Sequence, residues 1–307
     1  MSLPRAAGMP DYTASGSGFI PEIWSGKLLI KFYDATVLTA ISNTDYEGEI
    51  KNHGDKVKIR TVPDITIRDY IKGQALTSER PESDPLELLI DKGKYFNFVI
   101  DDVDAYQADI KLMDKWSTDA SEQMKIKIDT EVLAAVGAQV SAENKGATAG
   151  RKSAAFDLGA SAAPVQITKT NVLDYLVDCG TVLDEQNIPE TGRFVVIPAW
   201  MAGLIKKSDL KDASLTGDGT SVLRNGRIGM IDRFELFSSN NIKVTVDGVN
   251  CYDVLFGHSL GLTFASQITK TESLRAESTF GDIIRGLNVY GFKVLKEQAL
   301  GLLYARK

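Results

Sequence analysis

The pattern of apolar and polar positions changes character several times along the chain of 307 residues. Residues 18–44 hold a short stretch whose apolar positions fit one face of a helix better than a strand. Residues 56–62 and 65–70 then alternate between polar and apolar side chains, which is typical of half-exposed strands. After a polar stretch that contains prolines, residues 86–90 and 95–100 resume as predicted strands.

The first alternating pair carries charged side chains along one face, with Lys56, Lys58 and Arg60 at every second position. Such a ribbon buries little core of its own, and an isolated hairpin is only marginally stable in water. We therefore expect another subunit to support it, although a merely solvated charged surface is the alternative. The candidate residues for contacts between subunits are Lys56, Arg60, Arg68, Asp69, Lys72, Glu79 and Arg80.

A single long helix is predicted for residues 101–137, because apolar or small residues recur there every three or four positions. The stripe consists of Met113, Trp116, Ala120, Met124, Ile128, Val132 and Val136. At 1.5 Å per residue this helix would be roughly 50 Å long, which exceeds the usual length of a globular helix.

The remaining residues predict mixed helices and strands that do not alternate as a doubly wound sheet would, so the predicted class is α+β. Residues 138–168, rich in Ala, Gly and Ser, are predicted to be a loop or a weakly ordered insertion. A helix is predicted for 171–186, with Val172, Leu173, Leu176, Val177, Gly180 and Leu183 facing inward. A buried strand at 193–198, a short helix at 200–208 and a loop at 211–225 follow. Strands are then predicted at 228–237, 242–246, 252–256, 260–268, 287–295 and 299–305.

Composition narrows the functional classes. The chain is 43% hydrophobic and 25% charged, enough for one large domain or two ordinary ones. Its net charge of −6, with both signs interspersed, does not indicate tight gripping of nucleic acid. No stretch approaches the roughly 20 apolar residues that a membrane span needs, and residues 1–17 predict a loose arm rather than a secretory signal. Cys179 and Cys251 are expected to be buried thiols.

A nucleophile motif of the G-x-S-x-G type occurs at Gly257–Gly261, directly after an apolar run. A hydrolase using Ser259 would need a histidine base later in the chain, but no histidine follows His258. A glycine-flanked strand end therefore fits the motif better than a catalytic serine.

Two other patterns suggest ligand binding only weakly. Residues 146–153 resemble a phosphate-binding loop with the wrong spacing and no buried strand before it, so we expect a surface loop. Asp101, Asp102 and Asp104 could bind a cation, but acidic residues at that position more often cap a helix. We therefore predict no catalytic, cofactor or metal site.

Five segments in order resemble a known family. They are RFVVIPAWM at 193–201, NGRIGMIDRFELFSSNN at 225–241, VLFGHS at 254–259, FGD at 280–282 and VYGFKVL at 289–295. Each is a loose motif, but their order and spacing resemble the major capsid proteins of tailed bacteriophages, which have the Hong Kong 97-type shell fold. The resemblance covers nearly the whole chain.

The resemblance implies a division of the chain into named parts. These are an N-terminal arm at 1–44, an extended β-ribbon loop at 45–98, a spine helix and the first part of the peripheral domain at 99–165, an axial domain at 166–250 and the closing strands of both domains at 251–307. No long charged helical segment precedes the arm, so a fused scaffolding domain is not expected. A crosslinking pair of lysine and asparagine, found in some relatives, cannot be assigned.

The function implied is that of a structural, non-enzymatic subunit without cofactors. Copies would form hexamers and pentamers of an icosahedral virion shell that encloses double-stranded DNA without sequence specificity. Assembly is expected in the cytoplasm of the host bacterium, with a separate scaffolding protein, a portal and, in some relatives, a decoration protein; no membrane is involved. The alternatives are an encapsulin-like compartment that encloses enzymes, the hydrolase, and a decoration or tail protein.

Overall fold

The computed structural model describes residues 33–34, 36–45, 56–63, 65–82, 85–102, 106, 112–208, 230–277 and 279–307. These residues form helices and strands in mixed order, which confirms the predicted α+β class. The helices are α1 (Leu38–Ile41), α2 (Leu112–Val136), α3 (Val172–Glu185) and α4 (Ala199–Lys207). The strands are β1 (Lys56–Ile59), β2 (Leu86–Leu89), β3 (Lys92–Asp101), β4 (Val165–Gln166), β5 (Arg193–Ile197), β6 (Met230–Ile231), β7 (Phe234–Ser238), β8 (Val244–Asp247), β9 (Val249–His258), β10 (Leu262–Arg275), β11 (Gly281–Val294) and β12 (Leu300–Arg306).

The larger sheet has seven strands in the order β4-β12-β9-β5-β7-β6, with β8 paired to β9. Strand β5 lies at its centre, parallel to β7 and antiparallel to β9. Every residue of β5 is buried, because its alternate side chains enter two different cores. Val195 and Ile197 pack with α3 and α4, whereas Phe194 and Val196 pack with α1 and the end of α2. Burial on both faces explains the unbroken apolar run and confirms the predicted buried strand.

Helix α3 covers one face of this sheet with a regular apolar stripe. Leu176, Cys179 and Leu183 are fully buried in the core beneath it. Val177, predicted to face inward, is instead 48% exposed. It lies three positions after the exposed Asp174, on the outer face of the helix, so its apolar side chain alone was a misleading signal.

Helix α2 is the long helix predicted from the stripe, and its 25 described residues span about 37 Å. Its second half is the buried half, with Ile128, Val132 and Val136 in the second core. Trp116 is 41% exposed and meets the ring of Phe98 edge-on at 6.1 Å. Asp101 ends strand β3 and the next residue, Asp102, is helical, so the predicted start at 101 is one residue early; residues 103–105 and 107–111 lie outside the described residues.

The smaller sheet consists of three antiparallel strands in the order β10-β11-β3. Strands β10 and β11 form a 14-residue hairpin with one irregularity between Ser266 and Ile268. One face of β3 packs toward α2, since alternate side chains from Lys92 to Ile100 are half-buried or buried. The opposite face of the sheet carries exposed side chains.

A two-stranded ribbon stands apart from both sheets, and here the sequence prediction was partly wrong. Strand β1 pairs with β2, with Lys58 opposite Glu87. The predicted strand at 65–70 is not formed. Alternation indicates an extended backbone with two different faces, but a strand also needs a hydrogen-bonding neighbour, which the described residues do not supply.

Residues 138–168, predicted as a loop or weakly ordered insertion, are packed tightly into the fold. Ala149 and Leu158 are fully buried in the first core. The side chain of Asn144 donates hydrogen bonds to the backbone carbonyls of Gln298 at 2.7 Å and Leu300 at 2.8 Å. Small residues allow the backbone to approach closely, so this composition was compatible with burial as well as with mobility.

The predicted strand at 228–237 is a tight hairpin of β6 and β7. Asp232 and Arg233 occupy its two turn positions with φ of 43° and 67°. Two left-handed residues make the turn that matches the twist of a hairpin. Strands β8 to β12 confirm the later predictions, with shifted ends. The predicted helix before residue 33 and the loop at 211–225 lie outside the described residues.

Candidate functional site

The most exposed segment of the described chain is the connection between β1 and β2, residues 60–85, here called the ribbon tip. Every described residue from 65 to 82 is exposed. The large apolar residues among them and just before them are Val62, Ile65, Ile67, Tyr70, Ile71 and Leu76, with exposures from 62% to 93%. A contiguous apolar surface of this kind marks a site of interaction with another macromolecule.

The predicted interface residues all lie on the ribbon, but not in one cluster. Lys56 lies on β1 and pairs with Glu87 at 3.5 Å. Glu79 accepts a hydrogen bond from the backbone N–H of Thr66 at 2.8 Å, which closes the tip upon itself. Arg68, Asp69 and Glu79 share the wall of a concavity of about 350 Å³.

The other predicted residues, Arg60, Lys72 and Arg80, are exposed. Like Arg68, they form no ion pair with any described residue. Their guanidinium and ammonium groups are thus available to another molecule. Their role as interface residues stays a prediction.

The ribbon base, strands β1 and β2, rests on a small core of its own. Ile59, Leu88 and Ile90 are buried there against Ala265 of β10. Strand β2 crosses β11 at Gly291, where an added Cβ would lie 2.9 Å from the carbonyl carbon of Leu89. The absence of a side chain at this glycine is what lets the two backbones cross.

Next to the ribbon base, two lysines of β3 hold a carboxylate of the long helix. Lys92 and Lys94 lie 3.0 Å and 2.5 Å from the two carboxylate oxygens of Glu131. The hydrogen bond from Lys94, more than any other contact, lowers the pKa of Glu131 to about 2. Burial, together with the negative charge of Glu131, raises the pKa of the neighbouring Tyr290 hydroxyl. This cluster fastens the three-stranded sheet to α2.

The outer face of the three-stranded sheet is a second exposed surface. Tyr95 is 78% exposed, and Val99, Leu274 and Leu287 are between 41% and 51% exposed. Between them Glu272 pairs with Arg285 at 2.7 Å and with Lys270. A groove of about 420 Å³ runs between Tyr95, Leu287 and this charged row. The face therefore offers both apolar and charged contacts.

A buried carboxylate that sequence reasoning missed lies on α2. Asp129 is 1% exposed and accepts hydrogen bonds from the backbone N–H groups of Val37 at 3.1 Å and Leu38 at 2.9 Å. Its other oxygen accepts one from Asn241 Nδ2 at 2.8 Å. The available signal was its position, because Asp129 falls three residues before Val132 on the buried side of the helix.

Arg193, at the start of β5, is a second buried charge that sequence reasoning did not identify. Its guanidinium donates to the backbone carbonyls of Gly180, Ile188 and Pro189, at distances between 2.6 and 3.2 Å. It also pairs with Asp184 of α3 at 2.6 Å. These bonds satisfy the last turn of α3 and fix it to the sheet.

The serine motif has a structural role in this geometry. Ser259 begins a short 3₁₀ turn after β9. Nδ1 of His258 accepts a hydrogen bond from the backbone N–H of Leu260 at 3.1 Å. Within the described residues, the Ser259 hydroxyl has no hydrogen bond to a base. One of the two ring nitrogens of His258 is thus engaged by the turn itself.

The loop at 146–153 binds a carboxylate of its own chain. Glu185 Oε2 accepts hydrogen bonds from the backbone N–H groups of Lys152 at 2.8 Å and Ser153 at 3.2 Å. These contacts lower the pKa of Glu185, with the Lys152 backbone contributing most. The N–H groups that would cradle a phosphate are therefore already engaged, as expected of a surface loop.

The predicted capping role of the acidic cluster stays a prediction, because Asp101 directly precedes the helical residue Asp102 and Asp104 lies outside the described residues. Asp101 lies at the end of β3, and Asp102 forms an ion pair with Arg275 at the end of β10. In the described part of the chain no three His, Cys, Asp or Glu side chains lie together in a way that could hold a metal ion. No helix of that part is long and apolar enough to cross a membrane.

A long helix beside a three-stranded sheet, a second sheet buried on both faces and an exposed ribbon together define the architecture of the described chain. The chain belongs to the phage capsid protein family, whose model matches residues 86–304. The predicted resemblance to tailed-phage major capsid proteins of the Hong Kong 97-type fold is thereby confirmed. Proteins of this family are structural proteins.

Solved phage structures are similar over nearly the whole chain. A structure from Mycobacterium phage Che8 is 27% identical, with a TM-score of 0.73 over 92% of this chain and 96% of its own. The capsid of Cyanophage P-SCSP1u is 15% identical, with a TM-score of 0.71 over 100% and 99%. The mature capsid of bacteriophage PhiM1 is 16% identical, with a TM-score of 0.65 over 100% and 99%. No curated protein sequence matches the chain.

Proposed function

We propose that many copies of this chain assemble into a closed icosahedral shell, in hexamers and pentamers, that encloses double-stranded DNA. Membership of the capsid family supports a role in the virion. The likeness to structures described as capsids, among them a mature one, supports self-association. Assembly would take place in the cytoplasm of the host bacterium, with no catalytic step and no cofactor.

The observation that carries the proposal is the ribbon tip. Six large apolar side chains stand in water on a segment that packs against no described part of its own chain. Fully burying one such side chain is worth about 1.5–3 kcal/mol. A second copy is the molecule most reliably present at high concentration around a shell subunit, and it would cover this surface in every position of the shell.

The outer face of the three-stranded sheet is the surface we assign to receive the tip of a neighbour. Its exposed Tyr95 and Val99 offer apolar contacts, and Glu272 and Arg285 offer charges of both signs. The tip presents the same mixture, because the apolar Ile67 is followed in sequence by Arg68 and Lys72, which form no ion pair with a described residue. Each exposed ion pair is worth at most about 1 kcal/mol, so such pairs would set register more than affinity.

The division of labour follows the boundaries given by the resemblance. The arm (1–44) would clasp a neighbour and the ribbon (45–98) would lie across one. The segment 99–165, with the closing strands of 251–307, would form the wall, and the axial domain (166–250) would meet its copies around the symmetry axes. A scaffolding protein and a portal would take part in assembly, and a decoration protein is an optional further partner.

The test compares two equally exposed apolar residues. Ile67→Ser changes the ribbon tip (90% exposed), and Val246→Ser, on β8 (77% exposed), is the matched control. Both variants should keep the thermal stability of the subunit to within about 0.5 kcal/mol, because neither side chain is buried. Ile67→Ser should lower the yield of sedimenting particles at least several-fold, and Val246→Ser should not. Particle formation by Ile67→Ser at the unmodified yield would contradict the proposed role of the tip.

A further inference from the structure

Asp129 joins three segments that are far apart in sequence. The first is the strap, the described residues 33–34 and 36–43, which contains α1 and binds Asp129 through the N–H groups of Val37 and Leu38. The second is helix α2, which carries the carboxylate. The third is the connection between β7 and β8, residues 239–243, which binds it through Asn241.

The strap follows α2 and then leaves it. At one end, Tyr33 donates a hydrogen bond to Asp119 at 2.7 Å. Ten helical residues separate Asp119 from Asp129, which is about 15 Å along the axis, and four to five extended residues cover the same length. At the other end, Asn43 exchanges backbone hydrogen bonds with Leu262 and Phe264 of β10. The strap is thus held at one end by an exposed side-chain contact, at the other by backbone pairing with β10, and between them by one buried carboxylate.

Among the described residues, the donors that face the charge of Asp129 are all neutral. No cationic side chain among the described residues pairs with it. A buried carboxylate that loses one of its hydrogen bonds is left with an uncompensated desolvation penalty. The buried position of the charged group is then less stable, although its remaining donors are still in place. The bonds from the strap and from Asn241 therefore depend on each other through the same two oxygens.

The connection continues to the centre of the larger sheet. The Asn241 backbone N–H donates to Ser239 Oγ at 3.1 Å, and the Ser239 N–H donates to the carbonyl of Ile197, the last residue of β5. Asn241 and Ser239 are 3% and 2% exposed. A continuous path of buried hydrogen bonds thus runs from the strap to β5.

We propose that Asp129 couples the strap to the β7–β8 connection, so that displacing either one loosens the other. A molecule that lifts the strap would leave Asp129 with Asn241 as its one donor among the described residues, and the connection would be anchored less firmly. The reverse holds by thermodynamic linkage. This goes beyond the proposed function, because it concerns communication within one subunit and does not require a shell.

The test removes one side of the coupling and observes the other by amide hydrogen exchange. Asn241→Ala deletes the Nδ2 donor without touching the strap. The amides of Val37 and Leu38 should then exchange about tenfold faster, the effect of weakening one charge-assisted hydrogen bond. The amide of Leu302 in β12, remote from this path, reports global opening and should be unchanged.

The matched control is Asn171→Ala. Asn171 also makes two side-chain hydrogen bonds, with Thr168 N–H at 2.7 Å and the Gln166 carbonyl at 3.0 Å, but it does not contact the path. It should leave strap exchange unaltered. Unchanged exchange at the strap in Asn241→Ala would overturn the proposal. If Asn241→Ala also speeds exchange in β12, the milder variant Ser239→Ala is tested instead. The same amides of the strap and of β12 are then measured.

Discussion

The crossing of β2 over β11 gives the sharpest test of how the ribbon is held. In Gly291→Ala the new Cβ would lie 2.9 Å from the carbonyl carbon of Leu89 and 3.1 Å from Cα of Ile90, and closer still to the Leu89 oxygen. Ordinary contacts of a Cβ begin near 3.4 Å. Both obstructing groups are backbone, so neither can rotate away, and β2 must shift by about 0.5 Å or more.

The magnitude follows from what that shift disturbs. Overpacking of this kind costs about 1–3 kcal/mol. Partial exposure of Leu88, which is fully buried beneath the crossing, is worth a comparable amount. These two costs do not add fully. A ribbon that lifts away from β11 relieves the overpacking, and the cost is then the exposure of Leu88. We therefore expect a loss of about 2–3 kcal/mol, confined mainly to the ribbon base, and a fall in melting temperature of roughly 4 °C.

The assay combines thermal unfolding with hydrogen exchange at the ribbon-base amides. Gly93→Ala is the matched control, because this glycine lies in the same sheet and the nearest atoms to its added Cβ are 4.0 Å away. Gly291→Ala should speed exchange in β1 and β2 about tenfold or more, whereas Gly93→Ala should leave it unchanged. Equal melting temperatures and equal exchange in the two variants would refute the close crossing.

Two further variants test the buried and half-buried charges. The pKa of Glu131 lies at about 2 in the folded chain, below its ordinary value, so its contribution to stability is complete above about pH 4.5 and fades as the pH falls toward 2. Lys94→Gln should raise that pKa and make thermal stability fall less between about pH 5 and pH 3; parallel curves for the two proteins would count against the clamp. Arg193→Met removes the guanidinium donor from the buried carbonyl of Gly180 and from two partly buried carbonyls, and it breaks the ion pair with Asp184, so it should cost about 3 kcal/mol in chemical denaturation. A loss below about 1 kcal/mol would show that Arg193 is not needed there.

Periodicity predicted the regular elements well where a single face or both faces of an element are buried. The apolar stripe on α2 and the unbroken apolar run of β5 both arise from burial. The positions of these two elements could therefore be predicted from the sequence. The extent of the ribbon strands was harder to predict. The alternating pattern continues into a tip that has no partner strand among the described residues. Pairing depends on distant residues, so β2 could not be recognised as the partner of β1 from local pattern alone.

The residues that join the parts of the molecule were the least predictable. Asp129 and Arg193 are polar positions inside apolar stretches, and their roles depend on donors and acceptors from remote segments. Gly291 is one glycine among 26, and only the crossing backbone distinguishes it. The exposed ribbon tip, by contrast, carries most of the charged residues that the sequence predicts as interface candidates, and their role stays a prediction.

Electron microscopy of the purified, unmodified chain tests whether it forms a shell. We expect closed particles of uniform diameter with icosahedral symmetry, formed by this chain alone or with a scaffolding protein, and containing double-stranded DNA when isolated from virions. A chain that remains monomeric under all conditions, with scaffolding protein included, would contradict this expectation.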